Sequence, residues 1–270
     1  MVKIEVPPDH PRKVSLDIRE RIIDGYSRHE VATAGLLAHG RGEAFDYLLG
    51  EVTNDLATHA IQVAVAALLT AKHPVISVNG NVCSLVSKEI VQLSEITKAP
   101  LEINLFYYSK EREDAILNAL LKAGATRVLG THDRPSETIP ELSSNRRKVD
   151  PEGIGLADVV LVPLEDGDRT EALKAVGKYV ITIDLNPMSR TAIFSDIAIV
   201  DNIVRSLPLM IASANELKNQ PHEYLQGIVS TFDNDNNLSE SLRLIILRLN
   251  ELSANMSALR TKKGIGVKIT

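Results

Sequence analysis

Apolar and polar positions divide the chain into two rhythms. Up to about residue 72, apolar residues recur at three- and four-residue steps, which at roughly 100° per residue gathers them on one side of a helix. Ser15 offers an N-cap for a helix running to about Arg28, with Asp17 in its first turn beside the positive end of the dipole. Ile18, Ile22, Ile23 and Tyr26 share one arc of that helix, Arg19 falls in the middle of it, and Arg21 and Arg28 fall opposite. A guanidinium on an apolar arc needs an anion, because an unpaired buried charge is strongly unfavourable. Arg19 is either salt-bridged to a core carboxylate, snorkelling out to solvent, or bound to a ligand phosphate. Further on, Gly40 and Gly42 bracket Arg41 just before another helical pattern, which predicts either a tight turn whose free amides and Arg41 face an anion, or the C-cap of a preceding helix. A longer helix follows from Thr53 or Asn54 to Lys72. It is apolar on nearly every side, which buries it in the core or in a subunit contact and places His59 in the interior.

From His73 the rhythm changes to strand, turn and helix. Short buried strands are predicted at 75–78, 101–106, 126–129, 159–162, 179–183 and 197–200, with helices at 84–96, 111–123 and 170–176. Alternation on this spacing implies right-handed crossovers between parallel strands. The expected fold is α/β: a Rossmann-like, mainly parallel sheet with helices on both faces, preceded by a helical N-terminal section. The expected segments are 1–72 helical, 73–255 as the α/β core with a C-terminal helix, and 256–270 as a tail, forming one compact unit. Leu238, Leu242, Ile245, Leu249 and Leu252 repeat at steps of four and three on that last helix, a stripe to be covered within the chain or by a second copy.

Composition narrows the function. The chain has 270 residues, 44% of them hydrophobic, and a net charge of −5. That charge argues against non-specific nucleic-acid binding, which rests on a cationic surface. Cys83 is the single cysteine, so no internal disulfide and no cysteine-built zinc site is expected, in keeping with a reducing cytoplasm. The first residues lack the continuous apolar run of a secretory signal, and the longest apolar run, 61–69, is too short to cross a membrane.

Chemistry is expected in the loops that follow the strands, because ligands collect at the carboxyl ends of parallel strands where helix N-termini point. Asp184-Leu185-Asn186-Pro187-Met188-Ser189-Arg190-Thr191 is the most informative of these. It sets a carboxylate, an amide, a guanidinium and a hydroxyl just past a buried strand, although Asn186-Pro187 is also a turn signal. Asn79-Gly80-Asn81 follows the first strand and offers amide donors to a phosphate or carboxylate. Thr131-His132-Asp133-Arg134 holds a histidine that is either a general base or a solvated loop residue. Arg146-Arg147-Lys148 is a positive run that either guides a polyphosphate or forms a solvated face. The acids of 164–170 either hold Mg²⁺ or cap the next helix. Neither G-x-G-x-x-G nor the Walker motif occurs, so any nucleotide site is of another type and an oxidoreductase is disfavoured.

Several of these segments, in order, resemble a known family. GRGEAFDY at 40–47, NRRKVDPEG at 145–153, ADVVLVPLEDGDRTEAL at 157–173 and Asp184-Leu185-Asn186-Pro187 with Ser189-Arg190-Thr191 are similar to archaeal phosphopantothenate synthetase, or 4-phosphopantoate:β-alanine ligase. The similarity spans residues 3–250, and Met188 stands where leucine is expected, a change between side chains of similar volume. The resemblance implies that 4-phosphopantoate, β-alanine and ATP give 4′-phosphopantothenate, AMP and diphosphate on the way to coenzyme A, in a homodimer. It implies nucleotide contacts from Arg19, Arg41, Asp184, Leu185, Asn186, Arg190, Thr191, Asn202 and Ile203. The phosphate of phosphopantoate is expected near Asn79, Asn81, Arg146 and Arg147. An acyl adenylate opened by an amine requires no protein nucleophile, only cations, Mg²⁺ and helix N-termini that align two anions and steady the leaving diphosphate. Arg19, Arg41 and Arg190 are the electrostatic candidates, since planar guanidiniums grip phosphates better than lysines. Without the resemblance, a regulatory nucleotide-binding module with no chemistry explains the strand-end loops nearly as well.

Overall fold

The computed structural model describes residues 6–139 and 147–256. Three helices come first: α1 (Lys13–Ser27), α2 (Thr33–Leu49) and α3 (Asp55–Thr70). An alternating run follows, with β1 (Pro74–Val78), α4 (Gly80–Thr97), β2 (Leu101–Ile103), α5 (Lys110–Lys122) and β3 (Val128–Leu129). A small antiparallel pair, β4 (Glu137–Thr138) and β5 (Lys148–Val149), and one π-type turn, Pro151–Gly155, interrupt the alternation. It resumes through β6 (Val159–Pro163), α6 (Gly167–Ala175), β7 (Tyr179–Ile183), α7 (Arg190–Phe194) and β8 (Ile197–Ile199). The described chain closes with α8 (Ile203–Leu217), α9 (His222–Ser230) and α10 (Asn234–Ala254). Among the described residues no helix is long and apolar enough to cross a membrane.

The main sheet has six strands in the order β3-β2-β1-β6-β7-β8, and its pairings are all parallel. The predicted Rossmann-like sheet is therefore present, with the order reversing between β1 and β6. Buried on both sides, the central strands read as unbroken apolar runs, and their alternation still sorts side chains by face. Ile76, Val78, Leu161, Ile181, Ile183, Ile197 and Ile199 point into the larger core, shared with α1, α3, α4, α5 and α8. Val75, Val160, Val162 and Val180 point the other way, onto Ile139, Val149, Ile154 and Leu173.

Several local expectations are corrected. Ser15 is not an N-cap: α1 starts at Lys13, and the Ser15 hydroxyl donates back to the Arg12 carbonyl at 3.2 Å from inside the helix. The buried arc of α1 is Ser15, Ile18, Ile22 and Gly25, so Arg19 sits at its edge, 40% exposed. Gly40 and Gly42 form neither a turn nor a C-cap but lie inside α2. Interior glycine costs roughly 1 kcal/mol of helix propensity, and packing further along the helix, described below, outweighs it. His59 lies on the exposed side of α3, its ring 5.7 Å from that of Phe232, because α3 turns its alanine-rich side to the sheet and α8. On α10, Leu238 and Ile245 are buried within the chain while Leu249 stays 45% exposed. Residues 203–230, to which periodicity assigns no helix, form α8 and α9.

Candidate functional site

At a point where strand order reverses, the segments after two neighbouring strands leave in opposite directions and open a crevice. Here that crevice has a volume of about 660 Å³. Its floor is tied together by Asn79, which follows β1. The Asn79 side-chain oxygen accepts from the Val82 amide at 3.1 Å, capping α4, while its Nδ2 donates to the carbonyls of Pro163 and Leu164 at 3.1 and 3.0 Å. Asn81 Nδ2 donates to the Gly35 carbonyl at 3.0 Å, drawing α2 onto the start of α4. Between them, Gly80 lets the helical section approach: a Cβ there would lie 2.1 Å from the Glu30 carbonyl oxygen.

The roof is α2, and a polar latch fixes it. Arg205, in the first turn of α8, donates from Nη2 to Asp46 at 2.6 Å and to Asp201 at 2.5 Å, and Asn202 Nδ2 donates to Asp46 at 2.8 Å. The Thr53 hydroxyl donates to Asp201 at 2.6 Å. So held, α2 presents Arg41 to the crevice, where its guanidinium makes no hydrogen bond or ion pair among the described residues. Arg19 behaves differently. It donates two 2.8 Å hydrogen bonds to Glu43, which faces the crevice while Arg19 itself stands behind it. Burial works against the Glu43 charge, but the Tyr47 hydroxyl and Arg19 hold its carboxyl below the ordinary range. The chain's own carboxylate thus meets the requirement that Arg19 raised. Nearby, burial lowers the pKa of His39, and its Nε2 is buried without a partner among the described residues.

The wall beyond β7 is the loop singled out in the sequence. Asp184 accepts from the Asn186 amide at 2.9 Å and from the Ser189 hydroxyl at 2.5 Å, and Asn186 accepts from the Met188 amide at 2.9 Å. The turn reading and the site reading therefore hold together: side-chain turns shape a rim. Burial raises the Asp184 pKa, opposed by these two donors and by the charge of Arg41. Ser189 caps α7, and the Thr191 hydroxyl donates to the Glu165 carbonyl at 3.0 Å. Arg190 is engaged by Glu171 at 2.6 Å and Asp168 at 2.7 Å, both pairs solvent-exposed. Asp166 caps α6, accepting from the Arg169 amide at 3.0 Å. The capping alternative for the acids of 164–170 is thus realised at Asp166, and both Glu165 and Asp166 line the crevice.

The opposite wall escaped the sequence reading. Leu105, Phe106 and Tyr107 follow β2, and Arg112, in the first turn of α5, projects into the crevice beside them. Its signal was present only as an arginine three residues after the Ser109 cap, a pattern typical of any solvated helix start. A separate cavity of about 240 Å³ lies beside β3. It contains His132, whose Nδ1 lies 2.7 Å from buried Glu113, so this histidine faces that cavity rather than the crevice. Glu113, Asp114 and His132 are close enough there to share a cation. Arg147 is exposed and lines neither cavity, and Arg146 lies outside the described residues.

Residues 56–248 match the model of the phosphopantothenate/pantothenate synthetase family. A 4-phosphopantoate–β-alanine ligase of Thermococcus kodakarensis is 52% identical over 251 residues, covering 93% of this chain and 95% of the relative. Ligases of the same name from Thermococcus onnurineus and Methanosarcina mazei are 51% and 47% identical, each over 93% of this chain and over 95% and 98% of their own. The chain belongs to this family. These synthetase relatives are archaeal, in line with the resemblance read from the sequence. Of the nucleotide positions that resemblance implied for a synthetase, Arg41, Asp184, Leu185, Asn186, Arg190, Thr191, Asn202 and Ile203 line one crevice, and Arg19 alone does not. Asn79 and Asn81 line it too, with their amides committed to backbone groups as described.

Proposed function

We propose that this protein is an AMP-forming ligase that joins 4-phosphopantoate to β-alanine, using ATP, in coenzyme A biosynthesis. One observation carries the reading: Arg41, on a latched helix and without a hydrogen bond or ion pair among the described residues, faces the Asp184 to Thr191 rim across a single crevice at the strand-order reversal. Its volume of about 660 Å³ lies within the range of small-molecule sites. Arg41 and Arg190 suit the triphosphate, and the Asp184 and Asn186 side suits the nucleoside. The substrate carboxylate attacks the α-phosphorus and diphosphate leaves; the β-alanine nitrogen then attacks the acyl carbon, AMP leaves, and the nitrogen sheds a proton. Two mutually repelling anions have to be aligned for the first step, and guanidiniums lining the crevice offset that repulsion.

Hard oxygen ligands for a magnesium ion would come from Glu165 and Asp166 on the same wall, with Glu165 giving up its 3.6 Å ion pair to buried Arg169 to serve. The ion supplies charge neutralisation at the diphosphate, most of its ligands coming from the nucleotide and water. Arg19, bound to Glu43, acts by holding that crevice-lining carboxylate rather than by touching phosphate. We place the reaction in the cytoplasm and the enzyme in a homodimer, for which the exposed Ile246 and Leu247 of α10 offer an apolar contact. Sedimentation equilibrium at micromolar concentration tests the dimer, and a monomer refutes it.

Purified protein is expected to release AMP from ATP and Mg²⁺ only when both 4-phosphopantoate and β-alanine are present. Arg41→Ala, which breaks no hydrogen bond or ion pair among the described residues, should keep the fold and lower turnover by about two to three orders of magnitude, the loss seen for single preorganised donors. Absence of AMP release with all three substrates points to a nucleotide-binding module instead. Full activity in Arg41→Ala removes that residue from the site.

A further inference from the structure

The crevice has two halves, and the nucleotide reading fills one. Arg41, Asp184, Arg190 and Asn202 belong to α2 and to the segments after β7 and β8. The half formed by the segments after β1 and β2 is bounded by Asn81, Leu85, Leu105, Tyr107 and Arg112. We infer that Arg112 is the receptor for the phosphate of the phosphorylated acid substrate. The inference rests on the ligase reading and deepens it.

Three features support it. Among the described residues the arginines lining the crevice are Arg41, Arg112 and Arg190, and Arg112 is the one in this half. Its Nη1 donates to the Tyr107 carbonyl, which fixes the guanidinium, while its Nε is buried with no hydrogen-bond partner among the described residues. A buried donor left unmade is unfavourable, and the Nη2 edge of the same guanidinium, which makes no hydrogen bond among the described residues, is left for an arriving phosphate oxygen. Glu30, which also lines the crevice, is already gripped by Arg28 at 2.7 and 2.9 Å. Arg112 also stands in the first turn of α5, where the helix dipole favours an anion.

Substrate chemistry fits this placement. The carboxylate of the acid must reach the α-phosphorus in the nucleotide half, so the phosphate at the other end of its skeleton extends away from the triphosphate. Like charges are thereby kept apart, and a planar guanidinium fork reads the far one. The neighbouring small cavity is a poorer receptor. Its Arg134 is already bound to Asp150 and Glu152, and its wall carries buried Glu113.

The test compares 4-phosphopantoate with unphosphorylated pantoate in the AMP-release assay. Arg112→Gln should raise KM for phosphopantoate roughly tenfold to a hundredfold, the range for a lost charge-assisted hydrogen bond. KM for ATP and kcat/KM for pantoate should stay unchanged, so the preference for the phosphorylated acid collapses. Arg112→Met, which keeps the length of the stem, provides a second reading should the glutamine variant fold poorly. Calorimetric titration of wild type with phosphopantoate alone, compared with either variant, gives the affinity without catalysis. An unchanged phosphopantoate KM, a rise confined to ATP, or an effect that appears instead in Lys148→Met beside the small cavity each overturns the assignment in an otherwise active enzyme. A wild-type protein that makes no AMP from the three substrates overturns the ligase reading itself, and the assignment with it.

Discussion

Replacing Arg205 by methionine tests whether the roof of the crevice is held by charge. The guanidinium bridges two carboxylates from distant parts of the chain: Nη1 and Nη2 reach Asp46 at 3.1 and 2.6 Å, and Nε and Nη2 reach Asp201 at 3.0 and 2.5 Å. The side chains of Asp46 and Asp201 are only 8% and 1% exposed. Methionine keeps most of the stem volume and leaves these carboxylates buried without their cation. Removing one partner of a buried pair costs roughly 3–5 kcal/mol. Asn202 and Thr53 still donate to the two carboxylates, which argues for the lower end, about 3 kcal/mol. For a chain of this size that is a fall in Tm of roughly 6–12 °C.

Urea unfolding reads the loss directly. The double variant Arg205→Met/Asp46→Asn should recover part of it, because it removes one of the stranded charges. A functional effect should accompany the structural one. Asp46 and Arg41 share α2, so loosening the latch displaces Arg41 and should raise KM for ATP severalfold, although Arg205 itself does not line the crevice. A loss below about 1 kcal/mol, the size of a surface pair, or a double variant no better than the single one, refutes the latch.

Stability should also depend on pH through Glu102, a fully buried residue of β2. Burial pushes its carboxyl up to about 7 from 4.5, against the hydrogen bonds it accepts from the amides of Ile154 and Asp150. Between pH 4.5 and 7 the folded protein retains a proton that the unfolded chain has released. Stability therefore falls as pH rises through that window, by roughly 3 kcal/mol from this group, and levels off above it. Urea midpoints across the window should show this slope in wild type and lose it in Glu102→Gln; parallel profiles refute the assignment. Gly80→Ala places a Cβ 2.1 Å from the backbone oxygen of Glu30, an atom that cannot swing aside. We expect a loss of about 2 kcal/mol or more from overpacking, together with a weaker grip on ATP. Stability equal to wild type shows that the α1–α2 section yields at that contact.

The sheet half of the site was legible in the sequence, and the helical half was not, for a physical reason. Strands buried on both faces declare themselves as short apolar runs. The polar residues that follow them, Asn79 or Asp184 to Thr191, stand out because each is within a few residues of its strand. The position of α2 depends instead on Asp46 meeting Asn202 and Arg205, partners 156 and 159 residues away, and separations of that kind leave no local pattern. The same contacts explain why Gly40-Arg41-Gly42 is helical although its composition favours a turn. The latch, and Leu185 3.7 Å from where a Gly42 Cβ would stand, commit the segment before local propensity decides. Arg112 stayed hidden because Lys110-Glu111-Arg112-Glu113 has the composition of a solvated helix start. Only the reversal of strand order turns that start toward a cavity. A cation whose surroundings come from topology is invisible to periodicity, so in sheets of this order the first turn after the strand next to the reversal merits inspection even where its sequence is bland.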